Sequence, residues 1–335
     1  MRNRDGYGWA MTNRKIYAVA SVCIAINSVI LAQGCVVSGH PAAQARWGAA
    51  ATSATLEANV DQPGPIEVES VASATWHVPL AGMLNLEHPS AKAAGLKSSE
   101  QPVVIYFHAL RHPTRGLYIV DTGVEHALAN DPEHAAIRGV VRKLAKMDSV
   151  HVNIDLKTWL GRQPQPLAGV FLTHLHLDHI MGMPDVPHGT PVFSGPGETR
   201  SHGFLNLFTR PITDRAFEGQ NTIAEWQFKP DPAQRFRGVL DVFGDGSLWA
   251  LHVPGHTPGS TAYLARTPNG PVLMVGDACH TWWGWDHGVE PGTFSKDQPL
   301  SAESLGELEG LVKRHPGIDV RLGHQPRGQQ IVADR

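Results

Sequence analysis

The sequence predicts a single α/β domain in which strands and helices are interleaved along the chain. Three observations carry that expectation. From about residue 66 onward, short β-branched and aromatic runs recur between turns rich in glycine and proline. Segments with helical spacing alternate with those runs. No repeat period or low-complexity stretch breaks the pattern after residue 65. With 335 residues, 42% hydrophobic and 18% charged, the chain is long enough to bury a sizeable core. A net charge of −3 and a pI near 6.7 give no reason to expect nucleic acid as a partner.

Each element follows from its residues. Val103–His108 and Gly116–Asp121 read as strands, joined by a hairpin at His112-Pro113-Thr114-Arg115. Ile137, Val140, Val141 and Leu144 have helical spacing and predict a helix over Ile137–Met147. Leu167–Leu172 is a continuous apolar run, as in a strand buried on both faces. Leu240–Phe243 and Leu248–Val253 flank Gly244-Asp245-Gly246, a strong hairpin signal. Thr261–Ala265 and Val272–Val275 form a second such pair around Pro268-Asn269-Gly270. Leu305–Lys313 is an amphipathic helix, and Asp319–Leu322 a last short strand.

The N-terminus reads as a targeting segment, residues 1–35. Arg14 and Lys15 precede an apolar run, Ile16–Ala32, that ends at Gln33-Gly34-Cys35. Small residues before a cysteine suggest a bacterial lipoprotein cleavage box with lipid attachment at Cys35. That box usually has Leu three places before the cysteine, and here the position is Ala32. The other two outcomes are a soluble exported protein and an uncleaved anchor. The expected location is the bacterial cell envelope, periplasmic or membrane-anchored. Once the segment is removed, Cys279 is the one remaining internal cysteine, so no internal disulfide can form. Residues 36–65 are rich in Ala, Gly, Ser and Pro and read as a flexible tether. The catalytic domain is then expected over residues 66–335.

Nineteen histidines are unusual, and several bunch around residue 175. Thr173-His174-Leu175-His176-Leu177-Asp178-His179 places three histidines and an aspartate just past a buried strand. In an extended loop His174 and His176 point the same way, and the following turn can bring Asp178 and His179 to a second position. Further fragments stand at other strand ends: Asp121-Thr122-Gly123, Gly255-His256-Thr257, Gly276-Asp277 and Gly323-His324. Glycines beside such residues let the backbone turn tightly at a crowded site. Nitrogen and oxygen donors suit zinc, with iron and manganese also compatible. His108, His112, His202 and His252 read as non-ligand residues.

The order Asp121, H-x-H-x-D-H at 174–179, His256, Asp277 and His324 resembles the metallo-β-lactamase superfamily over roughly residues 66–326. The resemblance implies a four-layer αβ/βα sandwich with a dinuclear site along one edge. It implies two Zn²⁺ ions, one on His174, His176 and His256 and the other on Asp178, His179 and His324. Asp277 would bridge them, and Asp121 would orient the loop. It further implies a bridging hydroxide as nucleophile, which Asp178 could steer. His176 stands where the diiron flavoprotein branch carries Glu, which counts against oxygen or nitric oxide reduction.

The bridging Asp277 turns the reading away from β-lactams, because zinc β-lactamases generally lack it. The complete set is similar to the acyl-homoserine lactone lactonases and related esterases and phosphotriester hydrolases. The implied activity is cleavage of a small ester, lactone or related acyl substrate. In the lactonase branch a Tyr three residues past the bridging Asp assists the carbonyl. Here that residue is His280, which could hydrogen-bond a developing oxyanion or protonate a leaving alkoxide; a structural role is the alternative. Trp282-Trp283-Gly284-Trp285 is either an apolar substrate wall or packing. Cys279 reads as a buried thiol rather than a ligand. Two other classes stay open: a mononuclear iron dioxygenase acting on sulfur compounds, and a metal-binding protein without turnover.

Overall fold

The computed structural model describes residues 35–203 and 205–332, so the stretch before Cys35 that reads as a targeting segment lies outside the described residues. Along the chain come β1 (Cys35–Val36), β2 (Ala42–Gln44), β3 (Ala49–Ala51), β4 (Glu67–Pro79), β5 (Glu100–His112), β6 (Gly116–Val120), β7 (His151–Val152) and β8 (Leu167–Phe171). These are followed by β9 (Val192–Ser194), β10 (His202–Gly203), β11 (Ile223–Glu225), β12 (Val239–Asp241), β13 (Leu248–His252), β14 (Thr261–Thr267), β15 (Gly270–Met274) and β16 (Asp319–Arg321). The helices that cover the sheets or reach the site are α1 (Ser53–Asn59), α2 (Gly139–Leu144), α3 (Leu177–Ile180), α4 (Asn206–Ala216), α5 (Trp282–His287) and α6 (Gln298–Arg314).

Among the described residues, one sheet has the order β2-β11-β9-β8-β6-β5-β4-β7, and a second has β16-β15-β14-β13-β12-β3. Period-two alternation along the central strands gives the layers. On β6, Leu117 and Ile119 face an outer cluster with Trp159, Ile180 and Phe217, while Tyr118 and Val120 face inward. On β13, Leu248 and Ala250 meet that inner layer, while Trp249 and Leu251 turn outward against α6. Phe171 of the first sheet and Tyr263 of the second stack at 5.6 Å between ring centroids. Helices outside, two sheets inside: the four-layer αβ/βα sandwich is the observed fold. On α6, Leu305, Leu308 and Leu311 are fully buried against the second sheet. Each contributes about 1.5–3 kcal/mol by leaving water.

Both hairpins of the second sheet form as expected, pairing β12 with β13 and β14 with β15. The turn at residues 112–115 joins β5 to β6. The helix expected over Ile137–Met147 is shorter. It runs from Gly139 to Leu144, with a 3₁₀ turn at Met147–Ser149. Its stripe is only partly buried, because Ile137 is buried whereas Val140 and Leu144 are each 73% exposed.

Residues 36–65 are not a flexible tether. They are folded onto the domain, which therefore begins before residue 66. β1 pairs with β10, β2 with β11 and β3 with β12. Thr52 caps α1 by accepting from the Thr55 N–H. Leu56 and Val60, spaced i and i+4, are fully buried in the core beneath α6. Composition misled here: small residues read as disorder, but short alanine strands fit the free edges of both sheets.

α1 is further held through Glu57, which accepts from Arg235, from Arg314 in two contacts, and lies near His315. Burial alone would raise its pKa; hydrogen bonds from Arg314 and Arg235 outweigh that and bring it down to about 2. A depressed carboxylate pKa adds stability that is present above the ordinary value and lost as pH falls toward the folded one. Thermal unfolding of wild type and Glu57→Gln should therefore differ most above pH 5 and converge as pH drops toward 2. A gap of constant size across that range would contradict the assignment.

Candidate metal centre

Five strand ends deliver the polar residues to one edge of the sandwich. Asp121 follows β6, residues 173–179 follow β8, His256 follows β13, Asp277 follows β15 and His324 follows β16. The chain turns at Asp121 through the left-handed region, φ 58°, which aspartate tolerates better than most residues. Gly323 is required by close approach. A Cβ there would lie 2.5 Å from Asp277 Oδ1.

Two groups converge: His174, His176, His256 and Asp277 in one, Asp178, His179, Asp277 and His324 in the other. Within each, the candidate ligand atoms lie within 4.8 Å of one another. Asp277 stands between them with its oxygens divided. Its Oδ2 is 3.7 Å from His174 Nε2 and 3.3 Å from His256 Nε2. Its Oδ1 is 3.2 Å from both His179 Nε2 and His324 Nε2. Asp178 Oδ2 lies 3.3 Å from His324 Nε2. All seven residues singled out in the sequence as ligands are thus brought together.

The outer nitrogens are tied back, which fixes what faces inward. His179 Nδ1 donates to Asp121 Oδ2 at 2.8 Å. His324 Nδ1 donates to the Val104 carbonyl at 3.0 Å. His256 Nδ1 is 3.1 Å from Ser295 Oγ, and His174 Nδ1 3.1 Å from Thr173 Oγ1. Asp121 also accepts from the Thr173 N–H at 2.8 Å and from its hydroxyl, so it locks the strand end that carries the histidines. His176 differs, because its Nδ1 points inward, 2.8 Å from His256 Nε2.

The donor set fits bound cations. His174 Nε2, His179 Nε2 and Asp277 Oδ1 are buried without hydrogen-bond partners among the described residues. Such atoms are costly unless something satisfies them. Burial holds His174, His176 and His256 below the usual imidazole range, in the neutral form that ligates metal. Burial also opposes charge on His179 and His324, but the carboxylates, Asp277 foremost, raise both above that range. Asp277 itself, despite burial, is held well below the usual carboxylate range by His280, His324 and His179.

The centre opens into a cavity of about 280 Å³ whose wall includes Trp76, Val78, Met83, Val103, Leu205 and Phe294. Val37, from the segment expected as tether, is part of it. His280 lines it too; its Nδ1 donates to the Met83 carbonyl at 2.9 Å and its Nε2 lies 2.9 Å from Asp277 Oδ2. The tryptophans of α5 do not line it. Trp282 and Trp285 pack on the core under α6, and Trp283 on the cluster around Leu84 and Val289. Cys279 is buried outside both groups, its thiol pushed up to about 12 by burial. His108 pairs with Ser70 Oγ, and His252 with the Pro258 carbonyl.

Residues 102–305 match the model of the metallo-beta-lactamase superfamily, more than half of the chain. The chain belongs to that superfamily. Its resemblance to the lactonase branch is borne out as well. The N-acyl homoserine lactonase AttM of Azorhizobium caulinodans is 27% identical over 257 residues, 73% of this chain and 91% of that protein. A crystal structure of a quorum-quenching N-acyl homoserine lactone hydrolase shares the fold with a TM-score of 0.53 at 18% identity, covering 81% of this chain and 98% of the other. A dizinc quorum-quenching lactonase, AidC, does so with a TM-score of 0.51 at 15% identity, covering 80% and 90%.

One residue that sequence reasoning missed is Glu198, buried in the loop after β9. Its Oε2 accepts from the Leu175 N–H at 3.2 Å, between His174 and His176. Its Oε1 accepts from the Thr257 hydroxyl and from the Gly259 N–H at 2.7 Å, in the loop that carries His256. One carboxylate therefore sets the spacing of two loops. Gly195-Pro196-Gly197-Glu198 offered only an acid in a turn-rich stretch, a weak signal. Glu198→Gln presents an amide where two donors converge and should weaken metal affinity by roughly 10- to 100-fold, the usual effect of losing an outer partner. Titration against a chromogenic chelator measures it; an unchanged affinity would refute the role.

Proposed function

We propose that this chain is a dizinc lactonase that opens the ring of a small lactone bearing an apolar acyl chain. The observation that carries the reading is the buried Asp277, set between two histidine-rich groups at the floor of an apolar cavity. The similarity to N-acyl homoserine lactonases over most of both chains supports the substrate class.

His174, His176 and His256 would hold one ion, Asp178, His179 and His324 the other, with Asp277 shared. Two zinc ions bound there would supply a shared hydroxide nucleophile near neutral pH and draw charge off the scissile carbonyl. The rest is done by the protein. The apolar wall takes the acyl chain and excludes water, which orients the ring over the polar floor. Asp178, on the cavity wall 3.3 Å from His324 Nε2, would accept a hydrogen bond from the attacking oxygen and so steer it. His280 has its Nδ1–H committed to the Met83 carbonyl, so its bare Nε2 faces the cavity, where it would take the proton released as the attacking oxygen adds to the carbonyl and pass it to the leaving ring oxygen.

Chelation should abolish lactone hydrolysis, zinc should restore it, and zinc content should approach two per chain. One iron per chain with oxygen consumption would instead indicate a dioxygenase. Asp277→Asn should lower kcat/KM by at least about a thousandfold, since it disturbs both ion positions at once. His280→Ala should lower kcat about a hundredfold with zinc content and KM nearly unchanged, the usual scale for one positioned proton donor. Full activity in His280→Ala would reduce that residue to packing.

A further inference from the structure

At the mouth of the cavity the apolar wall continues outward onto the surface, through Leu207 and Phe208, which do not line the cavity. Leu205, Leu207 and Phe208, at the start of α4, are 71%, 43% and 53% exposed. Phe294, 42% exposed, lies on the same cavity's wall. Leu205 belongs to that wall as well, so the patch is continuous with the rim. Water-facing clusters of large apolar side chains are uncommon on soluble domains and mark contact surfaces.

Where the chain enters the domain decides what the patch contacts. The apolar run Ile16–Ala32 leads in sequence directly to Cys35. Cys35 is held against α4, with its carbonyl accepting from Asn206 Nδ2 at 2.9 Å and Arg210 Nη1 3.3 Å from its sulfur. Cations flank the same corner. Arg200 is 67% exposed beside Glu225, and the exposed Lys296 reaches Ser201 Oγ at 3.4 Å. Apolar side chains that can enter the interface, flanked by Lys296 and by Arg200 with its partner Glu225, match the chemistry of a lipid surface.

We propose that the start of α4, with Phe294, is a membrane-docking surface that turns the cavity mouth toward an anionic lipid bilayer. Substrates with acyl chains would then reach the centre from the lipid side. The inference is independent of the reaction proposed above.

The test uses residues 35–335 carrying Cys35→Ala, which lack both the apolar run and any lipid anchor, floated with phosphatidylethanolamine–phosphatidylglycerol vesicles. Adding Leu207→Ser with Phe208→Ser should cut the vesicle-bound fraction about tenfold, on the scale of two interfacial side chains, and leave hydrolysis of a short water-soluble ester unchanged. Phe208→Trp should raise the bound fraction, because tryptophan favours the interface; this gain keeps the test valid if the double variant folds poorly. Equal flotation of all three proteins would overturn the proposal. So would light scattering showing a dimer that Leu207→Ser with Phe208→Ser splits, since the patch would then contact a second copy. Loss of ester hydrolysis in every protein, with flotation still following the variants, would refute the reaction and leave the docking surface standing.

Discussion

The site depends on one buried carboxylate. Asp277 sits among the imidazoles of His174, His179, His256, His280 and His324, all within 3.7 Å of one of its oxygens. An isolated ionised group at that depth costs several kcal/mol, so its neighbours must carry or coordinate positive charge. That single requirement explains why so many strand ends converge on one edge. It also explains why glycine precedes His324, because any side chain there would displace the carboxylate oxygen.

Around the carboxylate the protein divides its labour. The sheets supply rigidity, since alternation along each central strand locks it into both an inner and an outer core. The loops supply the chemistry, and a ring of outer partners aims the imidazoles of His174, His179, His256 and His324. Asp121 and Glu198 are the two hubs of that ring. The first fixes the strand end before His174 and the ring of His179; the second ties the His176 loop to the His256 loop. The apolar wall is assembled from elements far apart in sequence, from Val37 to Phe294.

Much of this was legible in the sequence, for physical reasons. Strand pairs such as β12–β13 and β14–β15 were readable because glycine turns fix where a hairpin reverses. The seven converging residues were readable because they lie in short motifs at strand ends. Of the outer acceptors Asp121 was readable through its motif, but the others were not, because several are backbone carbonyls, such as those of Met83 and Val104, whose identity carries no signal. Glu198 lay hidden among turn residues. The first folded segment was misread because Ala-rich strands owe their structure to a partner some 180 residues away, which composition cannot reveal. The tryptophans of α5 showed the opposite failure. Their chemistry suggested a substrate wall, but the helix turns them onto the core.

That same segment bears on how the chain reaches its final state. β2 and β3 lie within ten residues of each other, yet one closes the edge of the first sheet and the other the edge of the second. Their partners, β11 and β12, are among the later strands to be synthesised. The earliest folded part of the chain thus has to wait for partners some 180 residues further on. Until they pair, both sheets keep an open edge able to pair with another chain. Long-range pairing of this kind slows folding, because the loop between the partners must close before the contacts reward it.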